Sequence, residues 1–293
     1  MWIFLNDRFV RAEEAVVSVF DHGFLYGDGV YETIRSYGPR IFMRDQHLAR
    51  LRRSAEAIGI EIPIPPKDWP GLLHEAMERN AVGNEQVDAY LRITVTRGEG
   101  EIGLDPSLCR HPTVVIVAKA LAAYPPRLYR DGACLIIAQT RRNLPAALSP
   151  QIKSLNFLNN ILAKQEAVRA GAFDCVMLNW QDHLTECTTS NLFFVRSGRL
   201  CTPAIECGIL DGITRELVLL LAREHSIPTE EGRYGVSTLL EAEECFLTNT
   251  SMELMPVTQI DRSPVGTGRP GPMTRQLRTI FAEQRGRFGE DSP

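Results

Sequence analysis

Chemistry that needs a neutral amine has few places to go in this chain. Its 32 basic residues include only four lysines: Lys67, Lys119, Lys153 and Lys164. An arginine cannot supply an unprotonated nitrogen, so the candidates end there. Codon bias toward arginine accounts for the scarcity on the surface, but it does not explain why these four amines remain. Lys153 lies in IKSLNFLNNILAK, between the apolar Ile152 and Leu155 and just ahead of a helix-like run. Partial burial disfavours the ammonium form and readies an amine for Schiff-base chemistry on a carbonyl. The plain alternative is a lysine at a helix start with its head in water. Lys67 sits in a proline loop and Lys164 sits mid-helix beside Gln165 and Glu166, so both read as solvated. Lys119 closes a strand.

If Lys153 carries a carbonyl cofactor such as pyridoxal phosphate, three further groups are required. These are a cradle for phosphate, a carboxylate for the pyridine nitrogen, and cationic or hydroxyl groups for a substrate carboxylate. GILDGITRE, 208–216, places Gly212, Ile213 and Thr214 at a helix start, where unbonded N–H groups and the helix dipole favour an anion. The same pattern serves an ordinary helix cap. LTNTSME, 248–254, offers Thr250 and Ser251 in a turn between apolar strands, a second phosphate candidate or simply a polar hairpin. HLTECTTSNLFFV, 183–195, sets Glu186 among small hydroxyl residues ahead of an apolar strand. A carboxylate there could keep a ring nitrogen protonated, and so keep the ring an electron sink. It could also be an exposed turn glutamate. In FLYGDGVYETIRSY, 24–37, strand alternation puts Tyr31, Thr33 and Arg35 on one face and Glu32 and Ile34 on the other. A phenol and a guanidinium side by side suit a carboxylate substrate, though a mixed-polarity edge strand would look the same.

Several function classes are excluded by composition. Net charge is −4 and 44% of residues are hydrophobic, with no basic field to attract nucleic acid. No apolar run approaches the roughly 20 residues of a membrane helix. MWIFLNDRFVRAEE lacks the features of a secretory signal and reads as a strand and turn. Seven cysteines, an odd number without a C-x-x-C pair, fit reduced thiols in a cytoplasmic protein. The six histidines form no ligand-spaced pair, so no metal site is expected. There is no G-x-S-x-G elbow and no P-loop.

The elements that must position these residues alternate along the chain. Strands are expected near 2–6, 16–19, 30–37 and 41–43, and a helix over 45–60, with Leu48, Leu51, Ala55 and Ile58 on one face and Asp45 as its cap. A second helix follows at about 68–80. DAYLRITVT alternates Ala89, Leu91, Ile93 and Val95 as a half-buried strand, and PTVVIVAKA is another. Residues 121–132, LAAYPPRLYRDG, read as a linker. Beyond it come the strand CLIIAQT, a helix opening near Asn156, the strands DCVMLN, NLFFVR and RLCTP, and the helix GITRELVLLLAREH. ECFLTNT and ELMPVTQI follow as strands around a turn, then a helix from about Met273 and a disordered tail, RFGEDSP. The order predicts two α/β domains, 1–120 and 133–293, joined by the linker.

Taken together, GDGVYETIR, HLARLRRSA, RGEG, IKSLNFLNNILAKQEA, LTECTTSNLFF, GILDGITRE and LTNTSMELMPV resemble, in order, the motifs of the class IV (fold type IV) pyridoxal-phosphate aminotransferases. That family holds branched-chain aminotransferases, D-amino acid aminotransferases and aminodeoxychorismate lyases. The resemblance covers nearly the whole chain. It implies a small N-terminal α/β domain and a larger C-terminal pseudo-barrel α/β domain. It also implies that Lys153 is the Schiff-base lysine, that Glu186 pairs with the pyridine nitrogen, and that Arg50 in HLARL binds phosphate. Leu210, Gly212, Ile213, Thr214, Thr250 and Ser251 match the rest of the cofactor site. A homodimer at least is implied, with each active site near a subunit boundary. One position departs: many branched-chain members carry a cofactor-bonding tyrosine shortly after the lysine, and here Phe157 has no hydroxyl. Asn156 or water would then serve that oxygen.

Within the family, YETIR resembles the branched-chain YEGIR pattern, with Arg35 where D-amino acid enzymes tend to have lysine. The loop from Arg97 to Leu104 lacks their Arg-x-His pair. This favours transfer from branched-chain or other aliphatic L-amino acids to 2-oxoglutarate in a ping-pong scheme, with Tyr31, Arg35 and Arg97 near the substrate. KSLN and LAKQEA also resemble the D-amino acid enzymes, which stand as the alternative, with a lyase as the third.

Overall fold

A computed structural model describes residues 1–288. The chain divides into two compact units. The first comprises residues 1–122, the short stretch 152–156 and residues 287–288; the second comprises 123–151 and 157–286.

The first unit is built on a six-stranded antiparallel sheet. In chain order its elements are β1 (Trp2–Leu5), β2 (Arg8–Arg11), α1 (His22–Tyr26), β3 (Gly29–Tyr37), β4 (Arg40–Ile41), α2 (Arg44–Ala57), α3 (Trp69–Arg79), β5 (Ala89–Thr96) and β6 (Thr113–Ala120). The strands lie in the order β2-β1-β6-β5-β3-β4. β5 alternates as its sequence demands, with Ala89, Leu91, Ile93 and Val95 fully buried. They join Ile34 and Val30 of β3, Leu51 and Ala55 of α2 and Leu73 of α3 in one core. Two local expectations fail. Residues 16–19 form no strand and run as exposed coil into a turn. Asp45 does not cap α2: the N-cap is Met43, with φ 49°, and Asp45 pairs instead with its neighbour Arg44. A tight corner after β4 places the cap two residues ahead of Asp45, which is already inside the first turn.

The stretch 152–156 joins this unit through β3. Tyr31 N donates to Lys153 O and Leu155 N to Gly29 O, so the lysine segment runs antiparallel to the start of β3. Lys153 N also donates to Ser54 Oγ of α2 at 3.2 Å.

The second unit carries a nine-stranded mixed sheet. Its elements are α4 (Pro126–Asp131), β7 (Ala133–Ile137), α5 (Leu158–Arg169), β8 (Asp174–Leu178), β9 (Leu184–Cys187), β10 (Asn191–Arg196), β11 (Arg199–Pro203), α6 (Ile213–Glu224), β12 (Thr229–Gly232), α7 (Val236–Leu240), β13 (Glu244–Asn249), β14 (Glu253–Ile260), β15 (Ser263–Pro264) and α8 (Pro272–Gln284). The path is β12-β11-β10-β13-β14-β7-β8-β9, with β15 on β14. β9, at one end, comes back beside β10 and β11, which curls the sheet toward a barrel. One face buries Leu135, Val176, Leu184, Phe194, Leu247 and Met255. On the alternate positions Phe193 and Phe246 stack at 5.0 Å, and α6 and α8 lie against β13. The stretch read as linker therefore carries a helix, α4. α5 opens at Leu158, two residues later than expected. The expected disordered tail begins inside a short 3-10 turn, 285–288, and its residues 289–293 lie outside the described residues. No helix among the described residues is long and apolar enough to cross a membrane.

Candidate active site

In the first unit, β3 and α2 build a charged cluster beneath the lysine segment. α2 presents His47, Arg50 and Ser54 on one face through their three- and four-residue spacing. β3 turns Glu32, fully buried, toward that face. Arg50 Nε donates to Glu32 Oε1 at 2.7 Å and Nη2 to Oε2 at 2.9 Å, a two-toothed fork. His47 Nδ1 meets Oε2 at 2.8 Å, so the ring carries its proton on Nδ1. Burial pushes the Glu32 carboxyl up, but the Arg50 and His47 partners overcome it and hold it well below the usual carboxylate range. Burial lowers His47, and the Arg50 and Lys153 charges push the same way, so the imidazole is neutral near pH 7.

Lys153 is half-buried, with Nζ 4.5 Å from the centre of the Tyr31 ring. The Arg92 guanidinium lies 4.2 Å from the same ring. Burial raises the Tyr31 hydroxyl above its ordinary value against the pull of Arg92, so Tyr31 is a neutral phenol. Both candidate substrate arginines are engaged by carboxylates. Arg35 Nη2 pairs with Asp88 at 2.8 Å and its guanidinium stacks on Tyr37. Arg97 forks onto Asp28 at 2.5 and 3.1 Å and also donates to the carbonyls of Ile58 and Gly59. Asn156 spends its side-chain amide on Gly27 O at 3.0 Å.

The second unit gathers Glu186, Leu210 and Gly212. Glu186, at the end of β9, is buried, not an exposed turn residue. Its Oε2 accepts from Leu210 N at 3.0 Å and from Asn191 Nδ2 at 3.2 Å. Its Oε1 accepts from Arg142 Nε at 3.0 Å and Nη2 at 2.9 Å. Asn191 Nδ2 also donates to Leu210 O, tying the carboxylate to the loop before α6. That loop is tight: a Cβ on Gly212 would lie 1.9 Å from Asn191 Oδ1. α6 then starts at Ile213 with no side-chain cap. α8 is the contrast, since Glu244 accepts from Met273 N and Thr274 N at its start. An uncapped start on a 12-residue helix, with the buried Thr214 in its first turn and no room for a side chain at Gly212, fits a phosphate. Thr250 and Ser251 occupy the β13–β14 turn, which Asn249 Oδ1 braces by accepting from Ser251 N and Met252 N.

The other lysines are accounted for. Lys67 and Lys119 are exposed. Lys164, read as solvated, has a side chain 43% exposed, and it also donates to Phe173 O and lies 3.8 Å from Asp174. No group of three His, Cys, Asp or Glu able to hold a metal occurs among the described residues.

Residues 29–260 match the family described as amino-transferase class IV. The chain belongs to that family. A chain assigned as a branched-chain-amino-acid aminotransferase in Methanocaldococcus jannaschii is 39% identical over 289 residues, 99% of this chain and 98% of its own. The D-alanine aminotransferase of Listeria innocua is 34% identical, over 97% of this chain and 96% of its own. Among solved structures, the Escherichia coli branched-chain amino acid aminotransferase superposes with a TM-score of 0.92 at 29% identity, covering 100% of this chain and 96% of that one. A second branched-chain amino acid aminotransferase, from T.th., solved with pyridoxamine 5'-phosphate, gives 0.92 at 33% identity, covering 97% of this chain and 93% of that one. The fold is thus that of the fold type IV aminotransferases.

For this class IV aminotransferase, sequence reasoning missed Arg142 and Asn191. Nothing marks Arg142 among many arginines in a proline-containing loop, and Asn191 reads as the first residue of a strand. Glu32 could have been found: a carboxylate between the core residues Val30 and Ile34 on the inward face of β3 requires a buried cation.

Proposed function

We propose that this class IV aminotransferase uses pyridoxal 5'-phosphate to move the amino group of a branched-chain or other aliphatic L-amino acid to 2-oxoglutarate. The observation that carries the reading is the half-buried Lys153 amine in a chain whose buried Glu186 and uncapped α6 start fit the two ends of that cofactor. The cofactor, when bound, supplies a carbonyl carbon for the amine and a ring that accepts electrons. Lys153 Nζ holds it and then moves the proton at the substrate Cα. Glu186 faces the ring nitrogen. Arg50, Leu210, Gly212, Ile213, Thr214, Thr250 and Ser251 make the rest of its seat, with Arg50 aimed by the Glu32 fork. Tyr31, Arg35 and Arg97 serve the substrate, the arginines changing partners when a second carboxylate arrives.

A homodimer, or a higher homo-oligomer, is part of the proposal. The paired segments 18–24 and 98–104 leave Phe24, Ile102 and Leu104 more than 70% exposed, and α5 leaves Leu158, Ile161 and Leu162 exposed. Seven free thiols suit a cytoplasmic setting.

Transfer between D-amino acids is the second reading, favoured by the Listeria relative and by Phe157, which lacks a hydroxyl. The test is a half-reaction panel. Purified holoenzyme is mixed with single L- and D-amino acids, and loss of the cofactor's visible band is followed. Fastest reaction with L-leucine, L-isoleucine or L-valine supports the first reading, and fastest reaction with D-alanine or D-glutamate supports the second. Catalytic release of pyruvate from aminodeoxychorismate, over many turnovers and with no amino acceptor, would indicate a lyase.

A further inference from the structure

Glu186 faces an arginine that the assigned roles leave without a purpose. Arg142, in the loop after β7, places both Nε and Nη2 on a single carboxylate oxygen, Oε1, at 3.0 and 2.9 Å. Both side chains are more than nine-tenths buried. The arginine is itself held. Its Nη1 donates to Asn159 Oδ1 at 3.3 Å and Asn160 Oδ1 at 3.4 Å, both at the start of α5. Asn159 is anchored by donation to Arg141 O and Asn160 by donation to Thr188 O, each at 2.7 Å. On the far oxygen, Leu210 N and Asn191 Nδ2 complete four donors to two oxygens. The adjacent Cys187 thiol, pushed well up by burial, is neutral, whereas Arg142 brings a charge against Glu186.

We infer that Arg142 is a positioning residue that keeps the negative charge on Glu186, so that a proton shared with the cofactor's ring nitrogen stays on the nitrogen. The inference rests on the function proposed above. A buried carboxylate and a pyridine nitrogen compete for one proton. Burial favours the neutral pair, in which the proton sits on oxygen and the ring loses its pull on substrate electrons. A guanidinium against Oε1 reverses that preference, because protonating the carboxyl would leave the buried Arg142 charge without its counter-ion. The four N–H donors act in the same direction, since a neutral carboxyl accepts them far more weakly than an anion does.

The test uses Arg142→Gln and Arg142→Lys in the full chain, with two readouts besides turnover. In cofactor-free protein, infrared difference spectra against Glu186→Gln read whether Glu186 carries a proton. In holoenzyme loaded with ring-¹⁵N pyridoxal phosphate, the nitrogen chemical shift reads whether the ring does. Wild type should show an ionised Glu186 and a protonated ring nitrogen. Arg142→Gln should show the protonated-carboxyl band, a shift toward unprotonated nitrogen, and a kcat lower by roughly tenfold or more with KM little changed. Arg142→Lys should recover most of the ring protonation. An Arg142→Gln enzyme with an ionised Glu186 and a wild-type nitrogen shift would overturn the inference while leaving the proposed function intact. A wild-type chain that takes up no cofactor would refute the proposed function and the ring-nitrogen role together.

Discussion

Glu32→Gln is the sharpest probe of how the first unit holds its candidate phosphate arginine. The substitution keeps the shape of the side chain and removes a fully buried charge. Arg50, 5% exposed, loses its two charge-assisted bonds to the carboxylate, and His47 loses its carboxylate partner. Removing one partner of a buried pair costs about 3–5 kcal/mol. At roughly 2–4 °C per kcal/mol for a chain of this size class, the melting temperature should fall by about 10 °C. The sign with pH follows from the Glu32 carboxyl being held below its ordinary value. Its contribution is complete above the unfolded-state value, about 4.3, and is lost as pH falls below that. His47, also lowered, costs stability from about pH 6.5 downward in both proteins. The deficit of Glu32→Gln should therefore be full at pH 7.5 and shrink below about pH 4. Urea unfolding of cofactor-free protein at several pH values measures it. The double variant Glu32→Leu/Arg50→Met replaces the pair by apolar groups and should return to within about 1–2 kcal/mol of wild type. It should still bind pyridoxal phosphate poorly. A Glu32→Gln deficit under about 1 kcal/mol, or one that does not change with pH, would refute the buried-pair reasoning.

Other predictions are more local. Glu186→Gln should keep the cofactor but lower turnover by roughly 10²-fold, about 2.7 kcal/mol of barrier, in steady-state assays. Gly212→Ala should weaken cofactor affinity because its Cβ meets Asn191 Oδ1, and equilibrium dialysis against pyridoxal phosphate reads this directly. Of Arg35→Ala and Arg97→Ala, one should weaken glutamate or 2-oxoglutarate by about ten- to a hundredfold while leucine changes little, since a charge-assisted bond contributes about 1.5–3 kcal/mol. Equal losses for both substrates in half-reactions would assign the arginines to the shared carboxylate or to the fold.

The sequence made the strands and long helices legible wherever alternation or helical spacing was strict, as in β5 and α6. It misread places where a single backbone conformation decides the outcome. Met43 takes a left-handed φ and becomes the cap that Asp45 was expected to be. The exposed valines of 16–19 look like a strand, but the structure gives them no pairing partner. Within the candidate site, the sequence singled out residues whose type is irreplaceable for the proposed role, such as the amine of Lys153 or the glycine at 212. It was opaque where a common residue acts through another. Arg142 and Asn191 matter only because the fold brings them to Glu186 from 44 and 5 positions away.

The central claim is that Lys153 carries the cofactor, and one measurement reaches it directly. Holoenzyme reconstituted with pyridoxal phosphate is reduced with borohydride, digested, and mapped by mass spectrometry. The expected result is a single phosphopyridoxyl adduct on Lys153, absent from a Lys153→Ala control and unchanged in Lys164→Arg. An adduct on Lys67, Lys119 or Lys164, or no stoichiometric adduct at all, would contradict it.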